Sequence, residues 1–331
     1  MPTNRRTFLG SLAAAAVAPS LLAKAGQPLG QASAKQTRWG TTDLNPEIPA
    51  GPTRVRMALK YGMIGEGDTV EARFNVALEA GFEGVELDAP SDLDLDEVNK
   101  AQESTGLRVT GVVDSVHWSK PLSHPDAAVR TEGRHGLEKA ILDCKAVGGT
   151  MVLLVPAVVN GGTSYKDAWN NSITEIQRVL PIAKENGVRI NLENVWNNFL
   201  LSPIETLTFI NKCLGHDPHL PARSHQALGA YFDIGNIWNT AWPQHWVEVL
   251  GHHIQRLDIK GYSREIAGKQ GKWAGFGPKI GDGDLPWDDV SDALKKMNYR
   301  GWATAEVGGG DTAHLTDVCE RMHRVLKNLN A

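Results

Sequence analysis

The chain has 331 residues, a formal net charge of −4, three cysteines and ten tryptophans. That charge balance excludes the strongly basic surface a nucleic-acid binder would show. The odd, scattered cysteines, Cys144, Cys213 and Cys319, argue against a disulfide framework and a thiolate metal site, and Cys144 and Cys319, in helical patterns, are expected to be small buried residues. Asn4-Arg5-Arg6-Thr7-Phe8-Leu9-Gly10 is a twin-arginine pattern, followed by an alanine-rich apolar run from Ser11 to Leu22. Ala23-Lys24-Ala25 offers small residues at the positions a signal peptidase reads, and the run falls short of the ~20 residues that span a bilayer. Residues 1–25 are therefore expected to be a cleaved twin-arginine (Tat) export signal, leaving a periplasmic protein with no membrane partner. Residues 26–52, rich in Gly, Ser, Thr and Pro, are expected to be a linker or an N-terminal arm.

Residues 53–331 then form one domain of about 280 residues, near the ~250 of a single (β/α)8 barrel. Strand-like runs fall at Arg56–Tyr61, Gly84–Leu87, Val109–Val113, Met151–Val155, Arg189–Leu192, Ala230–Phe232, Ile254–Leu257 and Ala303–Ala305. Amphipathic stretches lie between them at Thr69–Ala80, Asp94–Thr105, Val129–Val147, Tyr165–Asn186, Pro203–Cys213 and Trp287–Met297. Gly81, Gly148 and Gly187 each stand where a helix should turn into the next strand, the place of a left-handed C-cap. This alternation predicts an α/β fold, a closed (β/α)8 TIM barrel. A doubly wound sheet is the competing architecture, weakened because no GxGxxG follows an early strand. Gly215–Leu228 reads as an insertion. The glycine-rich stretch from Tyr262 to Pro286 reads either as a lid or substrate-gripping loop, or as an exposed surface loop. Trp118, Trp196 and Trp238, just after predicted strands, are candidates to line a sugar pocket or to pack in the core.

Glu193, Asp233, Asp258 and Glu306 end predicted strands five to eight. One such acid is usually a helix cap or a satisfied buried carboxylate. Four gathered at one barrel mouth would be very unfavourable without a cation. An all-oxygen donor set suits Mn2+ or Mg2+, with Co2+ or Zn2+ as the alternatives if a histidine joins it. Asn191, Asn194, Asn236 and Asn239 are placed to orient ligands or to bind substrate hydroxyls.

Leu192-Glu193-Asn194, Phe232-Asp233-Ile234-Gly235-Asn236, Leu257-Asp258-Ile259-Lys260 and Trp302-Ala303-Thr304-Ala305-Glu306 resemble the xylose isomerase-like TIM-barrel superfamily, in its sugar (phosphate) isomerase/epimerase branch. The resemblance runs from about Arg56 to Asn328. It implies a divalent metal held by a Glu, an Asp, a His and a second Glu, matched here by Glu193, Asp233 and Glu306. The third position departs from the pattern: Asp258 stands where relatives commonly carry histidine, so it either replaces that ligand or marks an altered site. His252 and His253 precede strand seven and are not expected to reach the metal. The implied reaction is isomerisation or epimerisation of a small sugar or keto-sugar through a metal-stabilised cis-enediolate, with Glu193 and Glu306 as proton carriers.

His117, Asn236, Lys260 and Glu86 are the candidate substrate-binding residues; for His117, Lys260 and Glu86 a structural hydrogen bond or ion pair is the competing account. The partner is then a small carbohydrate and not nucleic acid, with homo-oligomerisation open. Export favours an unphosphorylated substrate. A lyase or hydrolase acting on a 3-keto-glycoside in the same site, or a sugar-binding barrel that has lost its metal, are the alternatives. The superfamily's endonucleases are set aside, because their strand-end histidines are missing here.

Overall fold

The computed structural model describes residues 55–215 and 227–329. The twin-arginine segment, the 26–52 linker and most of the insertion between Gly215 and Leu228 lie outside the described residues. Eight strands form: β1 (Val55–Lys60), β2 (Gly84–Ala89), β3 (Arg108–Asp114), β4 (Met151–Leu154), β5 (Arg189–Glu193), β6 (Leu228–Asp233), β7 (Ile254–Ile259) and β8 (Gly301–Ala305). They pair in sequence order, all parallel, and β8 closes on β1. The expected TIM barrel is the architecture present.

Around it lie α1 (Val70–Glu79), α2 (Leu95–Thr105), α3 (Ala127–Ala146), α4 (Tyr165–Asn186), α5 (Pro203–Leu214), α6 (Ile234–Trp238), α7 (Pro243–Leu250), α8 (Arg264–Gln270), α9 (Trp287–Lys296) and α10 (Thr312–Val325). Side chains of Thr69, Asp94, Ser164 and Ser202 accept amide hydrogen bonds at helix N-termini, satisfying donors the helix cannot. Gly187 ends α4 at φ 65°, a left-handed conformation that a Cβ disfavours. The short α6, α7 and α8 were not anticipated, since helices of five to eight residues show little of their period. Neither was α10, although its buried Leu315, Val318, Cys319, Met322 and Val325 repeat at helical spacing. No helix among the described residues is long and apolar enough to cross a membrane. All three cysteines are buried and none is in a disulfide.

Alternation along the strands sorts the residues into two environments. Met57, Leu59, Val85, Leu87, Ile190, Leu192, Phe232, Leu257 and Ile259 join the apolar core beneath the helices. Their neighbours face the barrel axis, where a small apolar group of Met151, Leu153 and Tyr231 adjoins charged residues. Two irregularities set this inward face. Ala230 pairs with Ile254 but Tyr231 pairs with Arg256, so Gln255 is an extra residue in β7. The Gln255 side chain lies over Gly229, where an added Cβ would stand 2.4 Å from it. Likewise Val85 pairs with Val109 and Glu86 with Gly111, making Thr110 extra in β3. The two bulges meet: Arg256 donates to the Thr110 hydroxyl and carbonyl oxygens, both at 3.0 Å.

Candidate active site

The four acids arrive from consecutive strands. Glu193 and Asp233 end β5 and β6, Asp258 is the penultimate residue of β7, and Glu306 follows β8. Each offers one carboxylate oxygen, and these four atoms lie within 4.8 Å of one another. Asp233 and Asp258 are fully buried and Glu193 nearly so. Asp233 also caps α6, its Oδ1 accepting the Asn236 amide at 2.8 Å while its Oδ2 accepts from the Asn236 side chain at 2.6 Å. Asn194 fixes the Asp233 backbone from both sides, donating to its carbonyl and accepting from its amide.

Two ammonium groups stand among these carboxylates. Lys260 Nζ is 2.6 Å from Asp233 Oδ2 and donates to Glu306 Oε2. Lys60, the last residue of β1, lies 2.9 Å from Glu86 and 3.3 Å from Asp258. Below them Glu86 accepts from Tyr231 and Thr304 and faces Arg256 at 3.4 Å. With Glu86 matched by Arg256, two ammoniums oppose four carboxylates at the mouth, an excess of two negative charges (4 − 2). Neither oxygen of the buried Asp258 accepts a hydrogen bond, and its nearest cation is the Lys60 ammonium at 3.3 Å, shared with Glu86. A buried carboxylate in that state is costly unless protonated or bound to a cation. The donor set therefore fits one divalent ion.

The electrostatics differ between the two glutamates. Burial first, and then the adjacent Glu306, push the Glu193 carboxyl well above its usual range; burial and Glu306 do the same to Asp258. Glu306, despite burial that works upward, is held below its usual range by the ammoniums of Lys260 and Lys60. Burial, reinforced by Lys60, lowers His117 to about 4, leaving a neutral imidazole. Its Nδ1 lies 3.3 Å from the Val155 amide and accepts from it, which puts the ring proton on Nε2. Asp114, at the end of β3, is raised to about 7 by burial.

Two cavities open on the cluster, of about 670 and 650 Å3, and Glu193, Glu306 and Trp118 line both. The first also carries Trp196, Asn236, Lys260, Trp273 and Phe276; the second carries Asp88, Asp92, Asp114, Ser115 and His117. The site residues expected from the sequence thus converge, with exceptions. Glu86 is 1% exposed, fully engaged with Lys60, Tyr231, Thr304 and Arg256, and lines neither cavity, so the structure gives it an ion-pair role instead of substrate contact. Trp238 lines neither cavity; its indole donates to Asp284 and its ring lies under Arg264. His253 is buried in the turn before β7, at the opposite end of the barrel. Asn191 lies one inward position below Glu193, lining neither cavity. The stretch after β7 is no bare loop: it folds into α8, whose start Asp284 pins, and a 3-10 turn, Lys272–Phe276, bonded to Tyr262, although α8 buries no residue and Trp273 is exposed. Lys60, Asp114, Trp273 and Phe276 were missed. For Lys60 the signal was available, because it closes a strand as the four acids do.

The family model described as Xylose isomerase-like TIM barrel matches residues 74–329. An uncharacterized protein of Methanocaldococcus jannaschii is 26% identical over 188 residues, covering 51% of this chain and 57% of that protein, so the chain spans little more than half of that relative. An inosose dehydratase of Clostridium botulinum is 20% identical over 260 residues, 73% of this chain and 83% of that one. Among solved structures, an L-ribulose 3-epimerase superposes with a TM-score of 0.66 at 18% identity, covering 83% of this chain and 95% of the other. A 3-keto-D-glucoside 4-epimerase from E. coli gives 0.66 at 14% identity, covering 83% and 100%. At these identities the likeness shows the fold.

Proposed function

The chain belongs to the xylose isomerase-like TIM barrel family, and from that premise we propose that it is a metal-dependent isomerase or epimerase of a small sugar or keto-sugar. One observation carries the reading: four convergent carboxylates against two ammoniums, with neither oxygen of the buried Asp258 accepting a hydrogen bond. The structural relatives that are epimerases of a ketose and of a keto-glucoside support the substrate class. Epimerising a carbon beside a carbonyl requires a proton to be removed and returned, which is work for carboxylates.

Glu193, Asp233, Asp258 and Glu306 would hold the ion, Mn2+ or Mg2+ by their oxygen chemistry. When bound it would supply Lewis-acid polarisation of the substrate carbonyl. Glu193 and Glu306 both face the two cavities, so a sugar lying between them meets two carboxylates. One takes the proton from the carbon beside the carbonyl and the other returns it; a single glutamate serving both carbons gives isomerisation instead. Lys260 orients Glu306 by donating to it, and Asn236 orients Asp233. His117 presents its Nε2–H to a substrate hydroxyl. The twin-arginine segment supports export to the periplasm and thus an unphosphorylated substrate.

The test is incubation of the Mn2+-loaded protein with a panel of ketoses and keto-glycosides in deuterated buffer, read by mass spectrometry. Uptake of one carbon-bound deuterium, abolished by Glu306→Gln, is expected. No uptake across the panel refutes the reading. The dehydratase among the relatives favours a second outcome, elimination after the same proton abstraction, which the same experiment reports as loss of water or of an aglycone.

A further inference from the structure

The two cavities that meet at Glu193 and Glu306 have unlike walls. One presents Asp88, Asp92, Asp114, Ser115 and His117, groups that hydrogen-bond sugar hydroxyls. The other is aromatic and is built as a unit. The Trp196 ring lies 4.8 Å from Trp273 and 4.9 Å from Phe276, and Tyr262 packs on Phe276 at 4.8 Å. Trp196 is anchored by its indole donating to the Asn236 carbonyl at 3.0 Å. The Tyr262 hydroxyl lies 2.8 Å from Asn239 Oδ1 and 2.9 Å from the Lys272 carbonyl oxygen, and a Cβ on Gly275 would stand 2.5 Å from the Tyr262 ring, so glycine there lets the turn press close.

Despite this support, Trp273 is 67% exposed and Trp118 is 51% exposed. A single exposed tryptophan needs no explanation, but here two of them, with Trp196 and Phe276, face one cavity. The cations on that wall are already engaged. Arg321 bonds Asp282, Asp317 and the Ile280 carbonyl, Lys279 pairs with Asp317, and His314 bonds the Gly308 carbonyl. The lobe therefore offers flat apolar faces and not an anion site. Each cavity is within the range of about 300–1,000 Å3 that takes a drug-sized ligand, so the pair exceeds what one six-carbon sugar fills.

We propose that the aromatic lobe is a subsite for a second ring, and that the substrate is a glycoside. Its reacting sugar lies over Glu193 and Glu306 toward His117, and its second ring stacks on Trp196, Trp273 and Phe276. This rests on the isomerase/epimerase reading for the first ring and names the substrate class. An aromatic aglycone and a second sugar share the required chemistry, a ring with an apolar face.

The test is calorimetric titration of the Mn2+-loaded protein with methyl and phenyl glycosides of glucose, galactose and mannose, and with the methyl glycosides of cellobiose and lactose, none of which opens to a carbonyl that could react. For at least one sugar, the phenyl glycoside or the disaccharide should bind about tenfold more tightly than the methyl glycoside, as one stacked ring warrants. A gain with phenyl alone assigns the lobe to an aromatic aglycone, and a gain with the disaccharide assigns it to a sugar. Trp273→Ala should remove the preference and Trp273→Phe should retain it. Equal affinities across the panel, or a preference that survives Trp273→Ala, overturn the proposal. A two-ring preference without deuterium uptake on any substrate would leave the subsite standing and refute the activity. Uptake on free ketoses without a preference would do the reverse.

Discussion

Replacing Lys60 by Met removes the ammonium between Glu86 and Asp258 while roughly keeping its packing. At 3.3 Å and an effective dielectric of about 20, its attraction to Asp258 is about 5 kcal/mol before the cost of burying both charges. Breaking a buried pair usually costs roughly 3–5 kcal/mol, because the remaining charge is stranded. Glu86 keeps Arg256, Tyr231 and Thr304, so the low end applies, about 3 kcal/mol. For a domain of this size that is a melting-temperature fall of roughly 6–12 °C. Urea unfolding in the presence of chelator would give the free energies of wild type, Lys60→Met, Asp258→Asn and the double variant. If Lys60 pairs with Asp258, opposing the burial and the Glu306 charge that push that carboxyl up, the double variant is more stable than additivity allows, by about 2 kcal/mol. Additivity within about 0.5 kcal/mol would refute the pairing, as would a Lys60→Met protein as stable as wild type.

Three further outcomes follow from the same geometry. Adding Mn2+ at about a hundred times its dissociation constant to chelator-treated protein should stabilise it by about 2.7 kcal/mol, seen as a rise of roughly 5–11 °C in thermal unfolding. Asp258→Asn or Glu193→Gln should remove most of that rise, and a rise unchanged in both would exclude them as ligands. Glu193→Gln and Glu306→Gln should each lower deuterium uptake by about 10²–10⁴-fold, measured as initial rates; a variant near wild type is not a proton carrier. Asp284 is held at about 2: burial works upward, but hydrogen bonds from the Glu265 amide, Trp238, the Arg264 amide and Ser263 outweigh it. Its folded value lies below the unfolded carboxylate range. Its contribution is therefore fully present above about pH 4 and is lost as pH falls toward 2. The melting-temperature gap between wild type and Asp284→Asn should be constant above pH 4 and shrink below it; a gap independent of pH would contradict the assignment.

The barrel was legible because each strand is an apolar run and several helices stop at a glycine, as at Gly187. These are local signals. The carboxylates were legible for the same reason, since each stands at a strand's end or one residue from it and so comes to the mouth wherever the strand sits. What could not be read depends on pairing across the barrel. Glu86 reads as a pocket residue near a strand's end, but β2 runs on to Ala89, and Arg256 and Thr304, 170 and 218 positions away, claim it. Trp238 sits just after a strand like Trp118 and Trp196, yet a short helix carries it under Arg264. Trp273 and Phe276 belong to a turn whose position is fixed by Asp284 and Tyr262, contacts no periodicity announces.

The extra residue at Gln255 bears on how this chain can change over time. Side chains alternate along a strand, so adding or removing one residue moves every later side chain to the opposite face. Gln255 stands outside that alternation, because Ile254 and Arg256 keep their partners Ala230 and Tyr231 on either side of it, whereas deleting the paired Leu257 would turn Asp258 toward the helices. A one-codon deletion at position 255 should therefore be tolerated where the ladder can close beside Gly229, whereas one at Leu257 should be as damaging as losing Asp258 itself. At this strand the chain's length can vary at the bulge and not among the paired residues beyond it.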